Sequence, residues 1–215
     1  MKRINLPTKI TISRIVISTL LILALIVVYF LDEFKVMSVS DFNLEFSGIK
    51  INTLMIIFWA IFLFASLTDF LDGYLARKNH QVTDLGKFLD PLADKMLINS
   101  ICIFLCFNFI SISEQLKFPW FCVVLMTIRD LIVDGLRFIA ASKNVTIAAN
   151  MWGKAKTVLQ MVAVSLVMLN GFPFSFIDAG WMAYLHITDI FCYLATITSI
   201  IGGVIYLKDN IKDIE

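Results

Sequence analysis

From Ile15 to Leu31 no residue carries a charge. A helix needs about 20 predominantly apolar residues to cross the ~30 Å hydrocarbon core of a bilayer, and this stretch with its flanks supplies them. Five more segments of the same kind follow. Membrane spans are therefore expected near residues 11–31, 51–77, 85–110, 117–141, 153–169 and 182–207. With 59% hydrophobic and only 16% charged residues and a mean hydropathy of +0.85, the chain is too apolar for a soluble globule or a disordered segment. The expectation is an all-α polytopic membrane protein with six transmembrane helices, a single domain over residues 1–215. A short interfacial segment over residues 1–10 precedes the bundle. Met1-Lys2-Arg3 ahead of an apolar run resembles the start of a signal peptide. The run is longer than a secretory apolar region and no small-x-small cleavage site follows, so it reads as a retained anchor.

Direction follows from the basic residues, which stay on the cytoplasmic side of the spans they flank. Lys35, Lys50 and Lys117 lie at one set of ends; all other Lys and Arg residues, among them Lys2, Arg3, Arg77, Lys78, Arg137, Lys154 and Lys208, lie at the opposite set. Both termini are then cytoplasmic, and the acidic stretch from Asp32 to Glu45 is a solvated outer connection. A net charge of +1 gives no basic field of the kind that binds nucleic acid. Cys102, Cys106, Cys122 and Cys192 all fall inside apolar runs and read as small buried hydrophobes, not as a disulfide framework. His80 reads as a solvated turn residue, and His186 and Asp189 as a pair in the last span. Trp120 and Trp181 fit an outer aromatic belt and Trp152 an inner one.

Ionisable residues interrupt the spans at one depth. Asp69, Asp72 and Arg77 lie toward the inner end of the second span and Asp90 and Asp94 toward the inner end of the third. Arg129, Asp130, Asp134 and Arg137 mark the fourth, and Lys154 and Lys156 open the fifth. Such groups are costly in a membrane and face a cavity or one another. Asp69 and Asp72 share a helix face at i,i+3, as do Gly86, Asp90 and Asp94 at i,i+4,i+8, and the short turn between the two helices sets the faces together. Four carboxylates in poor solvent repel unless protonated or neutralised. Divalent cations would neutralise them, and an all-oxygen donor set selects Mg²⁺ or Mn²⁺ over zinc; two such ions suit phosphoryl transfer. Gly73, Ala76 and Gly86 leave room for a ligand to approach, or serve as small-residue helix packing. Arg77 is an interfacial arginine or a fork for a phosphate. Thr83 is a helix N-cap whose hydroxyl could also meet a phosphate.

The run from Asp69 to Asp94, Asp-x-x-Asp-Gly-x-x-Ala-Arg followed after eight residues by Gly-x-x-x-Asp-x-x-x-Asp, resembles the signature of the CDP-alcohol phosphotransferase family. That resemblance implies a six-helix membrane enzyme, often a homodimer, with a two-metal site on the cytoplasmic side. It implies that Asp69, Asp72, Asp90 and Asp94 ligate the metals and that Asp94 is also the general base. Pro7, Thr8, Asp69, Gly73, Ala76, Arg77 and Thr83 would contact CDP-diacylglycerol.

Asn5-Leu6-Pro7-Thr8, Thr11-x-Ser13-Arg14, Leu89-Asp90-Pro91-x-Ala93-Asp94-Lys95, Gly135-Leu136-Arg137 and Gly153-Lys154-x-Lys156-Thr157 extend the likeness toward the family branch whose acceptor is glycerol 3-phosphate. One departure is Asp130, where that branch usually carries Glu. On a helix Asp130, Asp134 and Arg137 share a narrow face, with Arg129 about 100° away. Two readings stand: the acids neutralise Arg137 and the cluster is structural, or Arg129, Arg137, Lys154 and Lys156 leave a cationic surplus that binds the acceptor phosphate. The expected reaction is transfer of the phosphatidyl group from CDP-diacylglycerol to glycerol 3-phosphate with release of CMP, in the membrane of a bacterium. The alternatives are a sister synthase using serine or an inositol phosphate, and a divalent-cation transporter.

Overall fold

A computed structural model describes residues 6–46, 49–78, 84–107, 116–143, 151–178 and 186–210, with the backbone alone for 6–10, 40, 46, 69–78, 84–92, 94, 141, 142 and 178. The described residues are mostly helical. Six long helices are α1 (Leu6–Glu33), α2 (Thr53–Lys78), α3 (Asp84–Phe104), α4 (Trp120–Ser142), α5 (Met151–Met168) and, after a short α6 (Ser175–Asp178), α7 (Ile187–Asn210). Their order and extents follow the six expected spans. Stretches in α1 and α7, Thr11–Glu33 and Ile187–Asn210, are long and apolar enough to cross a bilayer. The chain divides into two compact units, Met1–Glu114 and Gln115–Glu215.

In the first unit α1 packs against α2 and α3, which touch each other. The face that α1 buries contains Thr11, Arg14, Ser18, Leu21 and Leu25, whereas Leu20, Leu23 and Val27 are 60%, 52% and 54% exposed. With Thr11, Arg14 and Ser18 inward and Leu20, Leu23 and Val27 outward, α1 reverses at these positions the amphipathic pattern of a helix on a soluble protein. Lipid as the outer solvent accounts for the inversion, since it accepts an aliphatic surface at no cost. The Ser18 hydroxyl donates to the Arg14 carbonyl at 2.8 Å and that of Thr19 to Ile15 at 2.8 Å, which satisfies both within the helix. Phe58, Phe62, Ala65, Ala93, Leu97 and Ile101 complete this core.

The acidic connection is more ordered than its composition suggested. A 3₁₀ turn (Val39–Phe42) leads into an antiparallel hairpin, β1 (Asn43–Phe46) and β2 (Ile49–Asn52), in register Asn43↔Asn52 and Phe46↔Ile49. Leu44, Phe46, Ile49 and Ile51 are cross-strand partners, an alternation too short to stand out beside the spans. Asn52 ties the hairpin to the next helix. Its amide donates to the Val39 carbonyl at 2.8 Å and to Asn43 Oδ1 at 2.9 Å, while its Oδ1 accepts the Leu54 N–H at 2.9 Å as the N-cap of α2.

In the second unit α7 packs against both α4 and α5. Its buried face is again small or polar: Thr188, Cys192, Ala195, Thr196, Ser199, Gly202, Gly203 and Tyr206. Ile197 and Val204 point outward. Asn170 and Gly171 end the α5 connection with φ of 52° and 79°. The Gly171 N–H returns to the Leu166 carbonyl at 2.7 Å, a left-handed helix ending that favours glycine. The last helix begins with Asp189 Oδ2 accepting the His186 N–H at 3.1 Å, so the expected pairing of these residues is a helix cap made through the backbone. Cys102, Cys122 and Cys192 are buried, as their setting in apolar runs predicts, Cys106 is partly exposed, and none of the four is in a disulfide. His80 and Trp181 lie outside the described residues.

Candidate active site

Two consecutive helices of the first unit carry the aspartates. Asp69, Asp72, Gly73, Ala76 and Arg77 occupy the last turns of α2, and Asp90 and Asp94 the first half of α3. The unbroken helical backbone gives each pair the expected spacing, Asp69 with Asp72 about 60° apart and Asp90 with Asp94 about 40° apart around their axes. Pro91 sits between the second pair and has no N–H to return to the Lys87 carbonyl, which loosens α3 there. Pro7 and Thr8 lie in the first turn of α1. The side chains of all these residues, and Thr83 altogether, lie outside the described ones. Among the described side chains no group of three His, Cys, Asp or Glu could hold a metal.

Arg14 belongs to the same unit and is 2% exposed. The sequence marked it only as part of an N-terminal motif. A guanidinium this deep requires compensating acceptors or charge, and this unit contains the four aspartates. The four aspartates stand on two helices that touch, and the run from Asp69 to Asp94 contains no Cys and, of His, only His80; oxygen donors of this kind suit Mg²⁺ or Mn²⁺ more than zinc.

The second unit brings together part of the predicted cationic group. Asp130 on α4 is at its centre, with its carboxylate 3% exposed. Arg129 Nη1 donates to Asp130 Oδ1 at 3.1 Å, and Lys156 Nζ, from α5, to Asp130 Oδ2 at 2.6 Å. One carboxylate thus bridges two cations in a largely desolvated place, and Asp134 follows one turn further along α4. Asp130 engages the Nη1 side of the arginine. The Nε/Nη2 edge, on which a guanidinium can fork a phosphate, is left, and Nε is buried with no hydrogen-bond partner.

The other two predicted cations are placed differently. Arg137 Nε donates to the Tyr206 hydroxyl at 3.2 Å, and its guanidinium carbon lies 5.4 Å from the ring centroid of that tyrosine. Asp130 therefore pairs with Arg129 and Lys156, which the helix-face reading did not assign to it. Lys156 comes from another helix, which a helical wheel of α4 does not contain, and Arg129 reaches the carboxylate from the adjacent position. Lys154 is exposed although Lys156 is buried. Two residues turn a helix by about 200°, so these lysines leave α5 on opposite sides.

The last helix supplies residues the sequence did not single out. Gly203 of α7 lies directly under the Arg129 side chain, where a Cβ would stand 2.7 Å from Arg129 Cγ and 3.2 Å from Nε, whereas a Cβ on Gly202 would first meet Trp152 Cβ at 2.7 Å. Tyr206, one turn on, meets Arg137. A glycine pair in an apolar span has the same signature as ordinary small-residue packing, and only the arginine lying on it distinguishes the two.

Residues 4–201 match the family described as CDP-alcohol phosphatidyltransferase. Similar proteins include one from Bacillus subtilis (strain 168) named CDP-diacylglycerol–glycerol-3-phosphate 3-phosphatidyltransferase. It is 32% identical over 209 residues, covering 96% of this chain and 95% of its own. A protein of the same name from Mycoplasma pneumoniae is 36% identical over 216 residues, 98% of this chain and 89% of its own. The probable phosphatidylglycerophosphate synthase of Mycobacterium tuberculosis is 36% identical over 160 residues, 74% of this chain and 68% of its own.

Proposed function

Since the chain belongs to the CDP-alcohol phosphatidyltransferase family, we propose that it transfers the phosphatidyl group of CDP-diacylglycerol to glycerol 3-phosphate, giving phosphatidylglycerophosphate and CMP. The observation that carries this choice of acceptor is the near-full-length likeness to relatives whose names specify glycerol 3-phosphate. The two cations brought together on Asp130, Arg129 and Lys156, support it, because a dianionic acceptor phosphate needs cationic donors and serine does not.

Asp69, Asp72, Asp90 and Asp94 would hold two divalent cations, Mg²⁺ or Mn²⁺, which when bound supply charge neutralisation to the diphosphate. Pro7, Thr8, Gly73, Ala76, Arg77 and Thr83 bind the CDP portion, with Arg77 forking a phosphate. Asp94 takes the proton of the 1-hydroxyl of glycerol 3-phosphate. The freed oxygen attacks the β-phosphorus in line, the bond from that phosphorus to the bridging oxygen breaks, and CMP leaves with the oxygen. Arg129, Arg137, Lys154 and Lys156 are the proposed ligands of the acceptor's phosphate.

Helices α1 to α5 and α7, of 18 to 28 residues, cross the membrane. At 1.5 Å per residue even the shortest is about 27 Å long. Both termini and the aspartate ends of α2 and α3 face the cytoplasm of a bacterial cell, as the basic residues favour, and the whole is one membrane domain working as a homodimer. The test is CMP release from CDP-diacylglycerol in liposomes against a panel of acceptors. Release with glycerol 3-phosphate alone supports the proposal; release with serine or an inositol phosphate instead moves the chain to a sister activity. Divalent-cation flux into sealed vesicles without lipid substrate would favour a transporter.

A further inference from the structure

We propose that Gly203 is a positioning residue for Arg129: the missing side chain on α7 is what allows the arginine to lie across that helix with its guanidinium held between Asp130 and the glycine surface. The inference rests on the reading of Arg129 as a ligand of the acceptor phosphate and deepens it. A Cβ at Gly203 would come within 2.7 Å of Arg129 Cγ, 3.2 Å of Nε and 3.5 Å of Cδ. The first of these is closer than carbon atoms approach without displacement, and Cγ is near the root of the side chain, where it cannot swing aside alone. Gly202 and Gly153 border the guanidinium less closely: Cβ atoms there would stand 3.4 Å and 4.0 Å from Arg129 Nη2, and the one at Gly202 would first meet Trp152 Cβ at 2.7 Å. Asp130 fixes Nη1 at 3.1 Å. The guanidinium is thus gripped on one side by charge and seated on the other against backbone, with its Nε/Nη2 edge unclaimed by Asp130. A methyl group at position 203 lifts the stem of the arginine, and the fork turns away from the position in which Asp130 holds it.

The experiment compares wild type, Gly203→Ala, Arg129→Ala and the double variant, each as full-length protein in liposomes with Mg²⁺. Expected for Gly203→Ala is a rise in KM for glycerol 3-phosphate of about tenfold or more with KM for CDP-diacylglycerol unchanged. Expected for the double variant is no rise beyond that of Arg129→Ala, since the group to be displaced is gone. Equal penalties of Gly203→Ala in the two backgrounds, or a rise in both KM values together, overturn the positioning role while leaving the acceptor reading intact. An unchanged acceptor KM in Arg129→Ala instead removes that reading. The positioning contact is then judged by Tm, which Gly203→Ala should lower when Arg129 is present and leave unchanged when it is absent. Should Gly203→Ala fail to yield folded protein, recovery in the double variant sustains the contact and continued failure overturns it.

Discussion

Asp130 shows how one carboxylate can hold a cationic site together. It accepts from Arg129 and from Lys156 while 3% exposed, so neither cation is buried without compensation. Asp130→Asn removes that compensation and leaves two positive groups in a desolvated place, which should cost about 3–5 kcal/mol of stability; thermal unfolding in detergent reads it. Lys156 and Lys154 are the same residue type two positions apart, one buried and one exposed. Asp94→Asn is predicted to abolish CMP release while the protein remains extractable and folded. Wild-type turnover in that variant would remove the proposed base.

Among the helices, α1 and α7 share one design: the face toward the protein carries polar or small residues, joined in α1 by Leu21 and Leu25, and the outward face is aliphatic. The consequence can be tested on neighbouring leucines of one helix. Leu25 is 2% exposed and Leu23 is 52% exposed. Truncating Leu25 to Ala opens a cavity and should cost about 2–5 kcal/mol, whereas Leu23→Ala only exchanges one lipid-facing surface for a smaller one and should stay within about 0.5 kcal/mol. Unfolding of both variants in the same detergent decides this, and equal losses would show that α1 does not bury the face described. The hairpin between α1 and α2 depends on Asn52, which donates twice and accepts once. Asn52→Ala is expected to lower stability by about 1–2 kcal/mol and to leave both substrate KM values unchanged.

At the scale of the whole molecule the proposed chemistry depends on removable cations. Chelation with EDTA should abolish CMP release, Mg²⁺ or Mn²⁺ should restore it and Ca²⁺ should be a poor substitute, because its larger radius suits higher coordination numbers; retained activity in EDTA would exclude the metal role assigned to the four aspartates. The six long helices were legible in the sequence because a bilayer demands about 20 apolar residues in a row, a constraint that acts locally and leaves its mark residue by residue. The spacing Asp-x-x-Asp followed by Asp-x-x-x-Asp was legible for the same reason, since helical periodicity relates near neighbours in the chain. The hairpin was not, its four-residue strands being too short to show a period against the apolar runs around them. The pairing of Asp130 with Lys156, the turn of Arg137 toward Tyr206 and the seat of Arg129 on Gly203 were decided by tertiary structure alone. Each joins residues far apart in the chain through the packing of α4 and α5 on α7, and a contact between helices depends on the rotation of both, which the period of neither one specifies.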